Sequence, residues 1–280
     1  MKTLIYILFP IFITLIIGPG YINMDYQQKS ILIQSPDKNI SLALLEKSAD
    51  IISKRLKDYS DDDFDISVIQ GKNRIKIDLK GEWNIKTTES LVTHKGAIEL
   101  YETFSRDTLL DMMGGNDHLF SLIKSDESYT TTENLGCASV SDVKKVNDYL
   151  KTLGLSNVCK FAWNQDIDRT EICLFALKLA AGKSPVITGN EIEGAGYNQG
   201  KISIKIKDSA VGIWAEATRR NLNKVIALVL DDYVISYPRV MNVIESGAIE
   251  MSGKFTQSEA RYIAALLNNE TLPVDFQVVK

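Results

Sequence analysis

Residues 40–81 read ISLALLEKSADIISKRLKDYSDDDFDISVIQGKNRIKIDLKG, and their periodicity changes halfway. Leu44, Leu45, Ile52 and Leu56 recur at helical spacing with lysines and glutamate between them, which predicts an amphipathic helix. After Tyr59 the period becomes two. Ile66 and Val68 alternate with polar residues, a Gly71 to Asn73 turn follows, and Ile75, Ile77 and Leu79 alternate again, as in a β-hairpin. Residues 87–94 form a short helical stretch, and GAIELYETF (residues 96–104) is a further strand. Residues 31–104 therefore read β, α, β, β, α, β, the element order of a ferredoxin-like split βαβ unit.

The pattern is less regular in the middle of the chain. Residues 105–113 are helical, and 121–137 are polar and loop-like. SVSDVKKVNDYLKTLG (residues 139–154) is a helix turned inward on Val143, Val146, Leu150 and Leu153 and closed by Gly154. Strands follow near 157–163 and 171–179, and AAGKSP (residues 180–185) is a hinge or boundary. From Val186 onward, GKISIKIK alternates cleanly. SAVGIWAEATRRN is a helix with Val211, Trp214, Ala215 and Thr218 or Leu222 on one side. KVIALVLDD is a central strand, GAIEMSGKF another, and Thr256 with Glu259 forms a capping box that opens the next helix. The C-terminal TLPVDFQVVK is one last strand. The fold class is α+β: a ferredoxin-like base unit, then a second α+β subdomain, after one N-terminal hydrophobic segment.

That segment is residues 1–25. Its apolar stretch, Leu4 to Ile17, falls between the length of a spanning helix and that of a cleavable signal core, so it is either a signal anchor or a signal peptide. Either way the rest of the chain is exported. Thirty-six acidic residues against 32 basic ones give a net charge of −4. Basic residues such as Lys54, Arg55 and Lys57 are interleaved with other types, so there is no nucleic-acid footprint. Three cysteines, Cys137, Cys159 and Cys173, leave one thiol over if a bridge forms. A Cys159–Cys173 bridge is open because the two lie on neighbouring predicted strands, while Cys173 in EICLFAL equally suits a core position.

No catalytic constellation is legible. Asp61 to Asp65 (DDDFD) lacks the glycine and terminal glutamate of an EF-hand loop and reads as a solvated connection. His94 and His118 are the only histidines and share no zinc motif. The S-x-x-K pattern occurs three times in unrelated contexts without partner motifs, and GAGYNQG (residues 194–200) has the wrong spacing for a phosphate loop and reads as a turn. Asp231 and Asp232, after the apolar strand, read as a tight turn and not as a catalytic pair. The chain reads as no enzyme, with no cofactor and no metal.

The second half carries a resemblance. ITGNEIEGAG (residues 187–196), then a strand, then the stretch from Ala210 to Val274 resembles the first large periplasmic domain of the bacterial SecD and SecDF protein-export membrane proteins. The matching positions are Thr188 and Gly189, Thr218, Ala227 to Asp231, Pro238, Ile244 and Gly247, Ile249 with Gly253 and Phe255, Thr256, Glu259 and Ala260, and Leu272, Pro273 and Val274. ADIISKRLKDY, VIQGKNRIKIDLKG and GAIELYETF are similar to the earlier part of the same domain, and LYETF is closest to Bacteroidetes-like forms.

The resemblance implies a base at residues 31–180 joined by the C-terminal strand, a head at 185–275, and a first membrane helix at the N-terminus, so that the chain is expected at the bacterial inner membrane facing the periplasm, or soluble in the periplasm if the N-terminus is cleaved. In the family, Leu-Pro-Val leads into further membrane helices and a proton-coupled site; this sequence stops at Lys280, so proton-driven translocation is not expected of it. The implied role is contact with exported polypeptide or translocase subunits, with Tyr233, Tyr237, Pro238 and Arg239 as the contact candidates, since aromatic and guanidinium groups favour interfaces. The alternative is an envelope binding or scaffold protein that kept the fold without an export role.

Overall fold

The computed structural model describes residues 29–124, 134–164, 170–179, 184–198, 201–252 and 256–279. The N-terminal signal or anchor and most of the AAGKSP hinge lie outside the described residues.

The chain is α+β, with four antiparallel sheets. Strand β1 (Lys29–Gln34), helix α1 (Leu42–Tyr59), β2 (Phe64–Ile69), β3 (Arg74–Leu79), α2 (Ile85–Thr93) and β4 (Ile98–Glu102) follow in the order read from the sequence. Next come α3 (Arg106–Met112), α4 (His118–Leu122), β5 (Gly136–Ser139), α5 (Val143–Thr152), β6 (Cys159–Trp163) and β7 (Glu171–Lys178). The remainder is β8 (Ile187–Thr188), a 3-10 turn at Gly189–Glu191, β9 (Ile192–Asn198), β10 (Lys201–Ile206), α6 (Asp208–Arg220), β11 (Ile226–Leu230), β12 (Tyr233–Ser236), β13 (Ala248–Ser252), α7 (Gln257–Leu267) and β14 (Gln277–Val278).

Pairing departs from the expected order at one strand. The first sheet runs β14-β1-β3-β2, so the place beside β1 that β4 fills in a ferredoxin-like unit is taken by the last strand of the chain. β4 instead joins β12-β11-β4-β8, where it pairs with β11 from Ile226↔Glu102 to Leu230↔Ile98. Local periodicity predicts that a segment is a strand but not which neighbour it takes.

β11 shows how the layers meet. All five of its residues are buried, and because strand side chains alternate, they feed two cores. Ile226, Leu228 and Leu230 enter the large core with the first sheet and its helices, while Ala227 and Val229 face a smaller core shared with Phe175, Leu177 and Cys173 of β7. β7 alternates likewise, sending Leu174 and Ala176 into a third core under α5. At about 1.5–3 kcal/mol per large buried aliphatic side chain, these central strands carry much of the hydrophobic stabilisation.

Three local readings are corrected. GAGYNQG is no turn through Asn198: Gly194 to Asn198 belong to β9, which pairs with β10 from Lys201↔Asn198 to Lys205↔Gly194. Its glycines made it read as loop. The bridge open between Cys159 and Cys173 is instead Cys137–Cys173. β6 and β7 are neighbours, as expected, but Cys159 lies opposite Lys178, whereas Cys137 lies opposite Cys173. The region read as loop, 121–137, opens on the last two residues of helix His118–Leu122 and closes on Gly136 and Cys137, which begin β5.

Candidate interaction site

The β11–β12 hairpin and the α2–β4 connection meet at the paired acids. Asp231 and Asp232 form a two-residue turn with φ of 46° and 74°, both left-handed, the conformation that fits a tight hairpin and that Asp tolerates better than most residues. The turn reading holds, with an addition. The Asp231 carboxylate accepts the backbone N–H groups of Gly96 at 3.1 Å and Ala97 at 2.8 Å, and its own N–H donates to the Ala97 carbonyl at 3.0 Å. Asp232 forms an ion pair with Lys160 of β6 at 2.8 Å, and Lys160 also reaches Glu99 at 3.2 Å. Burial disfavours the Lys160 ammonium, but the hydrogen bond to Asp232 and the charges of Glu99 and Asp232 outweigh it and raise its pKa.

The same connection is gripped from the other side by Arg55. Grouped with surface bases in the sequence, Arg55 is in fact fully buried. It lies on the inward stripe of α1 with Ile51, Ile52 and Leu56. Leu44, expected on that stripe, is 38% exposed. The guanidinium donates to the carbonyls of His94 (2.7 Å), Lys95 (2.6 Å) and Glu270 (2.9 Å), the first two at the C-terminal end of α2, where the helix dipole favours a cation. Burial lowers the Arg55 pKa to about 10, and the Asp231 charge opposes that shift. His94 Nδ1 bonds Tyr262 Oη of α7. Burial lowers the His94 pKa; Asp231 raises it and Arg55 lowers it further. Residues 94–97 are thus held by their carbonyls from α1 and by their amides from the β11–β12 turn.

The four contact candidates do not form one surface. Tyr233 opens β12 and is 49% exposed. Tyr237 lies beyond the far end of the strand, about 13 Å away along the chain, and is half-buried with its ring centroid 4.8 Å from that of Phe175. The carbonyl of half-buried Pro238 accepts the Ile226 N–H at 3.2 Å. Arg239 is exposed, bridges to Val225, and donates to the Asn223 carbonyl. Tyr237 and Pro238 are therefore mainly packing residues, and Tyr233 and Arg239 face outward.

Two apolar neighbours of Arg239 went unnoticed in the sequence. Met241 is 68% exposed, and Leu222, expected on the inner side of α6, lies past its last turn and is 40% exposed. The Leu222↔Val240 and Val225↔Arg239 bridges set the backbone around Leu222 beside the segment that runs through Arg239 to Met241. A separate cleft of ≈ 400 Å³ opens between the 3-10 turn, the start of β9 and the end of α7, with Gly96 and Ile98 on its wall. On its rim Asn268 donates to the Ala195 carbonyl at 3.0 Å and accepts the Ala195 N–H at 2.7 Å, occupying the outer edge of β9. Among the described residues, no group of three His, Cys, Asp or Glu side chains is placed to hold a metal, and no helix is long and apolar enough to cross a membrane.

Residues 175–274 match the family described as SecDF, P1 head subdomain. Among curated proteins, the chain is 36% identical over 84 residues to the protein translocase subunit SecD of Calditerrivibrio nitroreducens, covering 30% of this chain and 16% of that protein. It is 34% identical over 95 residues to SecD of Rhodothermus marinus, covering 34% and 15%. It is 28% identical over 123 residues to SecD of Desulfurispirillum indicum, covering 42% and 22%. The matches thus span 15% to 22% of the length of these relatives. The fold is similar to the crystal structure of SecDF in its super-membrane-facing form, with a TM-score of 0.52 and 20% identity over 90% of this chain and 30% of that one. The chain is similar at low identity to SecD proteins and has an α+β fold similar to part of SecDF.

Proposed function

We propose that this chain is a noncatalytic SecD-like module on the periplasmic side of the bacterial inner membrane, contacting exported polypeptide or translocase subunits. The observation that carries this reading is the match of residues 175–274 to the SecDF P1 head subdomain. Within the reading, residues 31–180 with the C-terminal strand are the base and 185–275 the head. The Cys137–Cys173 bridge supports an oxidising compartment, since structural disulfides persist there and are rare in the cytosol.

The contact surface is proposed on the head at Tyr233 and at Arg239, with Leu222 and Met241 beside the latter. An exposed methionine adapts to varied apolar partners, and an arginine adds hydrogen bonding, which suits contact with many sequences. Tyr237 and Pro238 position this surface. A photo-crosslinker at Met241 or Tyr233, activated in cells during secretion, should give adducts with unfolded precursors or translocase subunits. The same probe at exposed Lys151 of α5 should not. Equal labelling from all three positions, or none from Met241 and Tyr233, would sink the reading.

A further inference from the structure

The native bridge joins the first cysteine to the third and passes over the second. Cys137 and Cys173 lie opposite each other on β5 and β7. The backbone N–H and C=O of Cys137 both bond to Lys124, and those of Cys173 to Asn164. The pair therefore occupies the non-hydrogen-bonded position, where facing side chains come closest. Both cysteines face the small core against β11. Cys159 points through the other face of the same sheet into the core under α5. The residue that neighbours Cys173 on this side is Asn164, just past the end of β6 and five positions, about 16 Å, along the chain from Cys159. In the register that β5, β7 and β6 adopt, Cys159 faces Lys178 and neither of the other cysteines.

In the unfolded chain the preference is reversed. Cys159 and Cys173 are nearest in sequence, Cys137 and Cys159 next, and the native pair, 36 residues apart, closes the longest of the three loops. Loop-closure entropy alone disfavours it roughly four-fold against the shortest. A chain emerging N-terminus first into an oxidising space also presents Cys137 and Cys159 before Cys173.

We infer that this chain is a client of thiol–disulfide isomerisation, in which Cys159 forms the early, wrong bridge and an exchange catalyst with a reactive thiolate redirects it to Cys137–Cys173. The oxidant of the first step is a disulfide of the glutathione or dithiol-protein class. Two cysteine thiols lose two electrons and two protons to it as their sulfur–sulfur bond forms, and it is released as two thiols. In the second step the catalyst thiolate attacks the Cys173 sulfur of a Cys159–Cys173 bridge, and Cys159 leaves as thiolate and takes a proton from water. The Cys137 thiolate then attacks Cys173 in the mixed disulfide and the catalyst thiolate leaves, with no net change in oxidation. Folding closes the route behind it, because Cys159 is buried in the finished sheet and burial raises its pKa to about 12.

This inference rests on the proposed periplasmic placement only for its setting in cells; the exchange itself can be followed in vitro. The full chain, reduced and unfolded, is diluted into glutathione redox buffer, quenched at intervals with iodoacetamide, and its bridges are mapped by peptide mass spectrometry. Bridges to Cys159 should appear first and convert to Cys137–Cys173, several-fold faster with an added disulfide isomerase. Cys159→Ala should form the native bridge directly, with no acceleration. Early appearance of Cys137–Cys173 in the wild-type chain, unaffected by isomerase, would overturn the inference without relying on the variant. So would a chain that folds in the same redox buffer with all three thiols still free. Conversion as described in vitro, with fully reduced protein recovered from cells, supports the exchange and overturns the placement.

Discussion

Among the described glycines, Gly96 leaves least room for a side chain. Its φ is 79°, and a Cβ there would stand 2.4 Å from Arg55 Nη2 and 3.1 Å from its Cζ. The guanidinium cannot retreat, because Nη1 and Nη2 are committed to three carbonyls within a core. Gly96→Ala should therefore cost about 2–4 kcal/mol, from left-handed strain together with a displaced buried charge. Urea denaturation of the two proteins measures it, and a change below about 0.5 kcal/mol would contradict the Arg55 geometry. His94, which is part of the same grip, makes stability depend on pH. Its folded pKa lies below the unfolded value of 6.5, so the unfolded chain binds more protons in this window. Stability is then complete above about pH 7 and falls as pH drops through 6.5, by at most about 1.4 kcal/mol per pH unit. Glu102, half-buried, is held below its usual range against the cost of desolvation by Arg220, Asn221 and Lys178, and loses its contribution only at lower pH. His94→Gln should flatten the denaturation midpoint between pH 7 and 5.5; an unchanged slope would assign the dependence elsewhere.

At the scale of elements, the helix ends are the most predictable features. Thr256 caps α7 by accepting the Glu259 N–H at 3.2 Å, while the Glu259 carboxylate accepts the Thr256 N–H at 2.7 Å, as the spacing in the sequence foretold. Thr256→Ala should cost about 1 kcal/mol, and because α7 packs on both α1 and β9, the loss should appear as faster amide exchange in β9 as well as in α7. Amphipathic segments were legible for the same reason: α1, β2, β3, α5, β10 and α7 each impose their own period on the sequence. The partner of each strand was not legible. β4 and β14 are both short strands, and only the assembled molecule decides which one lies beside β1. The candidate site was half legible. Tyr233 and Arg239 do face outward, but the side-chain directions of Tyr237 and Leu222 depend on where β12 and α6 end. The burial of Arg55 had a trace in the sequence, since it shares a helical stripe with Ile52 and Leu56. Asp231 gave only its turn, because its amide partners at Gly96 and Ala97 lie over 130 residues away.

Across the whole molecule, long-range partnerships carry the architecture. The hairpin turn at Asp231 and Asp232 ties the α2–β4 connection to the sheet of β5, β7 and β6. α7 bridges the helices of the first sheet to the sheet of β9, β10 and β13, and Asn268 closes the edge of β9. A large single core runs through the first of these sheets and the helices above it, joined to Ile202, Ile204, Ile249 and Met251 of the other. The disulfide sits apart from that core, in the sheet on the far side of β11.

The pairing of β14 with β1 also fixes how the molecule bears mechanical load. Ile33 faces Val278 and Gln34 faces Gln277, so Lys29 and Val279 leave the sheet at the same end of adjacent antiparallel strands. Tension drawn between those two points acts across the hydrogen bonds in sequence, peeling them one by one, instead of shearing them together. In a force spectrometer, pulling from residues 29 and 279 should detach β14 at low force before any larger rupture. Pulling across β2 and β3 from Phe64 and Arg74, which load their shared ladder lengthwise from opposite ends, should require several-fold more. A molecule so joined is stiff toward loads along its central strands and compliant at the seam between β1 and β14.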